Sequence, residues 1–259
     1  VTSLLEFRKV TVFRGDAPAL HAIDLEIGVG EHVAILGPNG SGKSTLIRTI
    51  TREFYPALDP GTSLRLLGRE CWDIFELRSQ LGIVTPDLLL RAPEEVSARE
   101  AVLSGFLSTE GVWWGHQTVT TEMQRAATAA LARLEALSLA DRPVHQLSSG
   151  ELRRVQIARA LVHHPATLLL DEPSTNLDLF AQGELRRSLR ALAEGGTGLL
   201  LVTHHLADII PEVERVILLR EGRIVGDGPK RDLLRADRLG DLFGVRVEMV
   251  ERDGYYHAW

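Results

Sequence analysis

Near the start of the chain, two stretches alternate apolar and polar residues: LLEFRKVTVF from Leu4 and ALHAIDLEI from Ala19. Successive side chains of a strand point to opposite faces, so this period of two predicts a pair of half-buried antiparallel strands. HVAIL, from His32, is different. It is a short unbroken apolar run that stops at Gly37, the pattern of a parallel strand buried on both faces. SLRLL and LGIV, between residues 63 and 84, are further strand candidates. From about residue 90 to 165 the period lengthens. Met123, Ala127, Leu131, Leu134 and Leu137 recur at helical spacing, and Ser97-x-x-Glu100 and Thr121-x-x-Gln124 have the form of capping boxes. TLLLDEP from Thr167 and GLLLVTHH from Gly198 predict two more buried strands with a helix between them. VERVILL and GRIVGDG predict a closing hairpin, with short helices after it. In the tail, VRVEMVERDGYYHAW, Asp253-Gly254 sits between two alternating runs and predicts a last β-hairpin. Strands that alternate with helices along one chain imply an α/β fold, a mostly parallel sheet with helices on both faces. There is no internal repeat and no low-complexity linker, so the expectation is one such unit rather than a tandem pair.

Bulk properties narrow the classes. The 259 residues, 44% hydrophobic and 25% charged, suffice for one large α/β domain with insertions. No apolar run approaches the roughly 18 residues that cross a bilayer, and no charged-then-apolar leader opens the chain. The expectation is a protein neither exported nor inserted into a membrane. Cys71 is the single cysteine, which rules out an internal disulfide and fits a reducing compartment. A net charge of −6 argues against a dedicated nucleic-acid binder, which usually carries a basic face.

The sharpest chemistry lies at the end of HVAIL. Gly37, Pro38, Asn39, Gly40, Ser41, Gly42, Lys43, Ser44 and Thr45 fit G-x-x-x-x-G-K-[ST], with a buried strand before the loop and a predicted helix after it. Glycines let the backbone curl so that successive N–H groups face phosphate oxygens, and the helix N-terminus adds partial positive charge. In this arrangement Lys43 reaches the β- and γ-phosphates and the Ser44 hydroxyl sits on Mg²⁺. A later glycine cluster, EGGTG at 194 to 198, lacks the lysine and reads as a loop. The phosphate loop alone leaves kinases, GTPases, motors and transporters open. The GTPase reading fails because neither asparagine, Asn39 or Asn176, is followed by lysine in an N-K-x-D motif. At the end of TLLLDE, Asp171 and Glu172 stand at the carboxyl edge of a buried strand, where open α/β sheets bind ligands. Asp171 suits the Mg²⁺ shell. Glu172 suits a base that takes a proton from the attacking water.

Leu147-Ser148-Ser149-Gly150-Glu151, followed by LRRVQIARAL, resembles the signature motif of ATP-binding-cassette (ABC) ATPases. Ser148-x-x-Glu151 is also a capping box, and the helix it opens would face a core with Leu152, Val155, Ala158 and Leu161. The resemblance spans most of the chain. It implies a P-loop NTPase (RecA-like) core with an N-terminal antiparallel β subdomain and a helical subdomain inserted at about 88–150. Residues 1–259 then form a single ABC ATPase domain with a C-terminal extension over about 238–259. It implies that Ser148, Ser149, Gly150 and Glu151 meet ATP held by a second cassette, so that dimerisation, most simply of two copies, completes the site. STNLD (174 to 178) resembles the D-loop, with Asp178 near the dimer interface, and His204 resembles the switch histidine that contacts the γ-phosphate. Phe13 sits where the family places a ring on adenine. Lys43, Glu172 and His204 are the implied catalytic residues, with ATP and Mg²⁺ as cofactors.

Three departures stand out. Ser149 replaces the usual glycine, Glu151 the usual glutamine, and no glutamine follows LGIV, where the run is Thr85-Pro86-Asp87. Thr85 and Asp87 are both candidates for the role of that missing residue. EAVLSGFLSTEGVWW and the ending LFGVRVEMVERDGYYHAW are similar to single-cassette ATPases of iron-chelate and molybdate importers. This implies an ATPase subunit at the cytoplasmic face of the cell membrane, working with transmembrane permease subunits. Trp113 and Trp114 fit either exposed anchors for such a partner or core packing. The alternative reading is a soluble ABC ATPase that remodels a cytosolic partner without a permease.

Overall fold

The computed structural model describes residues 3–89, 93–107 and 119–259. In chain order the elements are β1 (Ser3–Arg14), β2 (Ala17–Gly28), β3 (His32–Leu36), α1 (Lys43–Ile50), β4 (Ser63–Leu66), α2 (Ile74–Gln80) and β5 (Leu81–Val84). They continue with α3 (Ala98–Leu103), α4 (Thr121–Arg133), α5 (Ser149–Ala160), β6 (Thr167–Asp171), α6 (Leu179–Glu194) and β7 (Gly198–Thr203). Last come β8 (Arg215–Arg220), β9 (Arg223–Pro229), α7 (Lys230–Leu233), α8 (Ala236–Phe243), β10 (Met249–Arg252) and β11 (Tyr255–Ala258). They form two compact units, Val1–Ile74 with Gly198–Trp259, and Phe75–Thr197.

In the first unit, β2, β1 and β4 form an antiparallel sheet, and the alternation expected of β1 and β2 is interrupted at Arg8-Lys9. Lys9 (φ 48°) and Ala22 (φ 44°) bulge out of the ladder, and Asp24 Oδ1 and Thr11 Oγ1 accept from their freed N–H groups at 3.0 Å. The second sheet of this unit joins β7, β3 and β8 in parallel and β9 antiparallel at the edge. Val33 to Leu36, Leu199 to Val202 and Val216 to Ile217 are essentially inaccessible, which is why these strands read as continuous apolar runs. The tail hairpin β10–β11 turns at Asp253-Gly254, as the alternation predicts.

The second unit carries the parallel pair β5–β6 and the helices α3 to α6. Ser97 caps α3 in a reciprocal box with Glu100, as expected. The α4 box is displaced by one residue: Thr120, not Thr121, is the cap, and Met123 rather than Gln124 occupies its third position. The hydroxyl one residue earlier sits outside the first turn, in the extended backbone that a cap requires. The helix ends at Arg133, so Ala127, Leu131 and Leu134 are buried while Leu137, in the next turn, is exposed. In α5, Val155 and Ala158 face the core as the periodicity suggests, but Leu152 is half-exposed and Arg153 and Gln156 are buried.

Candidate functional site

The phosphate-loop sequence folds as its pattern requires. β3 ends at Leu36, the chain turns through Gly37 to Gly42, and α1 starts at Lys43. Gly42 is the helix cap at φ 106°, a conformation L side chains rarely adopt. Lys43 is 7% exposed and folds back over the loop, its Nζ donating to Gly37 O at 2.8 Å and Pro38 O at 3.1 Å. The loop is tied to its surroundings by the Ser41 carbonyl, which accepts from Gly222 N at 2.8 Å. Asn39, Gly40 and Ser44 are exposed, whereas the Thr45 side chain is buried. Ser41 Oγ is also buried and has no hydrogen-bond partner among the described residues.

Strand register brings His204 to this loop. Leu36 pairs with Thr203 across the parallel β3–β7 ladder, and Gly37 N donates to Thr203 O at 3.4 Å. The residue after each strand therefore leaves the same sheet edge, where parallel sheets place ligands. The turn behind His204 is held by a buried pair that the sequence reading did not single out. Thr203 Oγ1 donates to Asp208 Oδ2 at 2.6 Å and accepts from His205 N at 3.0 Å. The signal was available in principle: an acid five residues past a buried strand threonine, in a short turn, is placed to cap it. The rings of His204 and His205 lie 3.8 Å apart between centroids. Phe13, 50% exposed at the end of β1, lines an open cleft with Arg14, Gly15 and Phe54. That exposure leaves a ring face free for stacking, as a core phenylalanine would not.

In the second unit, β6 delivers Asp171 and Glu172 to the end of a buried strand, both half-buried. Glu172 adopts φ 45°, a left-handed backbone that costs a non-glycine residue on the order of 1–2 kcal/mol. A tight loop follows and ends on Asp178, whose Oδ1 caps α6 by accepting from Ala181 N at 2.7 Å.

Ser148 to Glu151 form the first turn of α5 as a complete capping box. Ser148 Oγ accepts from Glu151 N at 3.3 Å, and Glu151 Oε2 accepts from Ser148 N at 2.8 Å. Arg142 completes the cluster, donating to Glu151 Oε1 at 2.8 Å and to Gln146 O at 3.0 Å. The Ser148 N–H bond, with the Ser148 hydroxyl and Arg142, holds the Glu151 carboxyl below the usual glutamate range against the opposing effect of burial. Gly150 packs against α6 so closely that a Cβ would lie 2.7 Å from Ala181 Cβ. The signature turn and Asp178 line one cleft of about 520 Å³, with Asn176 and the exposed Phe180 on its rim.

After β5, Thr85 and Pro86 are half-buried and Asp87 is exposed. Gln156 of α5, buried and not singled out by sequence, donates from Nε2 to Leu88 O and so ties this loop to the signature helix. Trp113 and Trp114 lie outside the described residues. Among the described residues, no helix is long and apolar enough to cross a membrane.

The family model described as ABC transporter matches residues 20–175. The hemin import ATP-binding protein HmuV of Streptomyces coelicolor is 35% identical over 240 residues, covering 92% of this chain and 82% of that protein. The zinc import ATP-binding protein ZnuC of Alkalilimnicola ehrlichii is 33% identical over 250 residues, covering 95% and 85%. Among solved structures, the dimeric post-hydrolysis state of the ATP-binding cassette MJ0796 bound to ADP and Pi has a TM-score of 0.70 at 28% identity, covering 87% of this chain and 98% of that one.

Proposed function

The chain belongs to the ABC transporter family of ATP-binding subunits, and from that premise we propose that it powers import of a metal chelate, molybdate or similar small solute as one of two copies beneath a permease. As a family member it is an ATPase. The observation that carries the reading is the phosphate loop itself, a left-handed Gly42 opening α1 with Lys43 drawn in over the Gly37 and Pro38 carbonyls. The loop carbonyls hold the ammonium at the helix N-terminus, beside the N–H groups that suit phosphate oxygens.

Each residue takes a role from its chemistry. Backbone N–H groups of Gly40 to Thr45 and the Lys43 ammonium hold the phosphates, while Phe13 offers its free ring face to the base. Ser44 offers an exposed hydroxyl and Asp171 a half-buried carboxylate, hard oxygen donors of the kind that would hold Mg²⁺. Mg²⁺ held by such donors would neutralise charge that develops on the phosphate oxygens. Glu172 takes the proton of the attacking water, worth about 10²–10⁴ in rate. His204, held by the Thr203–Asp208 pair, contacts the γ-phosphate. The first turn of α5, with Asp178 beside it, receives the γ-phosphate of the second copy's ATP. Closure with ATP and reopening after phosphate loss bias the permease through the differing affinity of the two states for nucleotide. The subunit is then peripheral to the membrane at its cytoplasmic face. The soluble reading draws on the missing glutamine near Thr85–Asp87 alone, and the curated relatives named above are import subunits.

The test is Glu172→Gln, which keeps the side chain's size and removes its basicity. With MgATP it is expected to elute from gel filtration as a dimer and to turn over at least 10²-fold more slowly. A monomer at saturating ATP would sink the sandwich mechanism, and wild-type turnover would remove Glu172 as the base.

A further inference from the structure

We propose that Arg142 is a positioning residue for the signature turn, neutralising Glu151 so that the start of α5 can accept the phosphate of a second copy's ATP. The inference rests on the sandwich reading above and concerns the charge that Glu151 places in the signature turn. Where a neutral glutamine is usual, the turn carries a carboxylate in its first helical residues. There it is favourable for the helix, because it faces the positive end of the macrodipole. It is unfavourable for an incoming phosphate, because like charges repel across a partly desolvated cleft.

The structure resolves this conflict with one guanidinium. Glu151 Oε2 is used inside the capping box by Ser148 N, and Oε1 is met at 2.8 Å by Arg142. Arg142 itself stands on a rigid strut. The backbone around it is bonded to the start of α3: Ala98 N to Arg142 O at 2.9 Å, Arg99 N to Ala140 O at 2.8 Å, and Val144 N to Val96 O at 2.8 Å. Its second nitrogen braces Gln146 O, so the approach to the signature from Arg142 to Ser148 is spanned by one side chain. The pair is semi-exposed, 43% for Arg142 and 24% for Glu151, so its contribution to fold stability is small. Its contribution falls on the charge and shape that the turn presents to a ligand.

A charge-rescue experiment separates these roles. In a Glu172→Gln background, ATP-driven dimerisation is titrated for Arg142→Gln, Glu151→Gln and the double variant, with MgATP as the probe. Nucleotide binding to the monomer is measured in parallel. Arg142→Gln is expected to weaken dimerisation about tenfold while monomer binding at the phosphate loop stays unchanged. Adding Glu151→Gln removes the uncompensated carboxylate and is expected to restore dimerisation to within about threefold of the parent. Arg142→Lys, which keeps the charge but loses the two-pronged contact, is expected to fall between parent and Arg142→Gln. A double variant as impaired as Arg142→Gln, or Arg142→Lys no better than Arg142→Gln, overturns the inference. Failure of the parent Glu172→Gln to dimerise at all overturns the sandwich reading and the inference with it, whereas equal dimerisation with and without Arg142 overturns the inference alone.

Discussion

Alanine at Gly42 is expected to unfold the phosphate loop's surroundings in a way that alanine at Gly40 does not. Both glycines have positive φ, 106° and 78°, so either substitution incurs a left-handed backbone cost of about 1–2 kcal/mol. Their surroundings differ. Around Gly40 nothing lies within 4 Å of an added Cβ, whereas at Gly42 that atom would be 2.9 Å from Ala19 O, 3.1 Å from Leu20 Cδ2 and 3.4 Å from Gly222 Cα. The first contact is with backbone, which cannot rotate away, so β2 or the β8–β9 turn must move. Overpacking of this kind costs typically 1–3 kcal/mol, bringing Gly42→Ala to about 2–5 kcal/mol against about 1–2 for Gly40→Ala. The assay is urea unfolding without nucleotide, so that lost ligand contacts do not enter. At a slope of about 3 kcal/mol per molar, the Gly42→Ala midpoint should fall by roughly 0.7–1.7 M. Equal midpoint shifts for the two variants would refute the argument that the neighbouring strand, rather than φ alone, demands glycine at this position.

Two further outcomes follow from single residues. Phe13→Ala is expected to raise the KM for ATP by about tenfold while changing stability by no more than about 0.5 kcal/mol, because the ring is half-exposed and its stacking partner is the ligand; an unchanged KM removes Phe13 from the base site. His163 packs edge-on against Phe106 at 4.8 Å, and burial lowers its imidazole below the ordinary 6.5, with neighbouring His164 acting in the same direction. The unfolded chain then binds the proton more readily, so the stability His163 contributes is present above pH 6.5 and is lost as pH falls through the lowered value. The stability of wild type relative to His163→Phe should therefore decline as pH falls through the ordinary histidine value of 6.5 and below it, and a pH-independent difference would contradict it.

Legibility in the sequence followed the range of the interactions. The phosphate loop, the capping boxes of α3 and α5 and the tail turn at Asp253-Gly254 are written in residues within a few positions of one another, where backbone geometry and local hydrogen bonds decide. The cap of α4 is Thr120 rather than Thr121 because two adjacent threonines offer the same hydroxyl, and the local pattern does not choose between them. Buried Arg153 and Gln156 were invisible for a related reason. On the α5 helix they occupy positions that periodicity assigns to neither face, and Gln156 is explained only by Leu88 O, 68 positions away.

For the site, the same division is sharper. Lys43, Ser44, Asp171, Glu172 and the signature turn are candidates that local pattern alone proposes, since each motif carries its own strand end or helix start. Position in space came from elsewhere. His204 reaches the phosphate loop because Leu36 pairs with Thr203 in a parallel register, and no local property of either segment specifies that alignment. Arg142 meets Glu151 because α3 anchors the backbone that carries it. By itself the sequence determined which chemical groups this protein carries and the local geometry of each motif, because those depend on near neighbours. Tertiary structure decided which groups share an edge and which charge is compensated, because burial and strand pairing act between residues far apart in the chain.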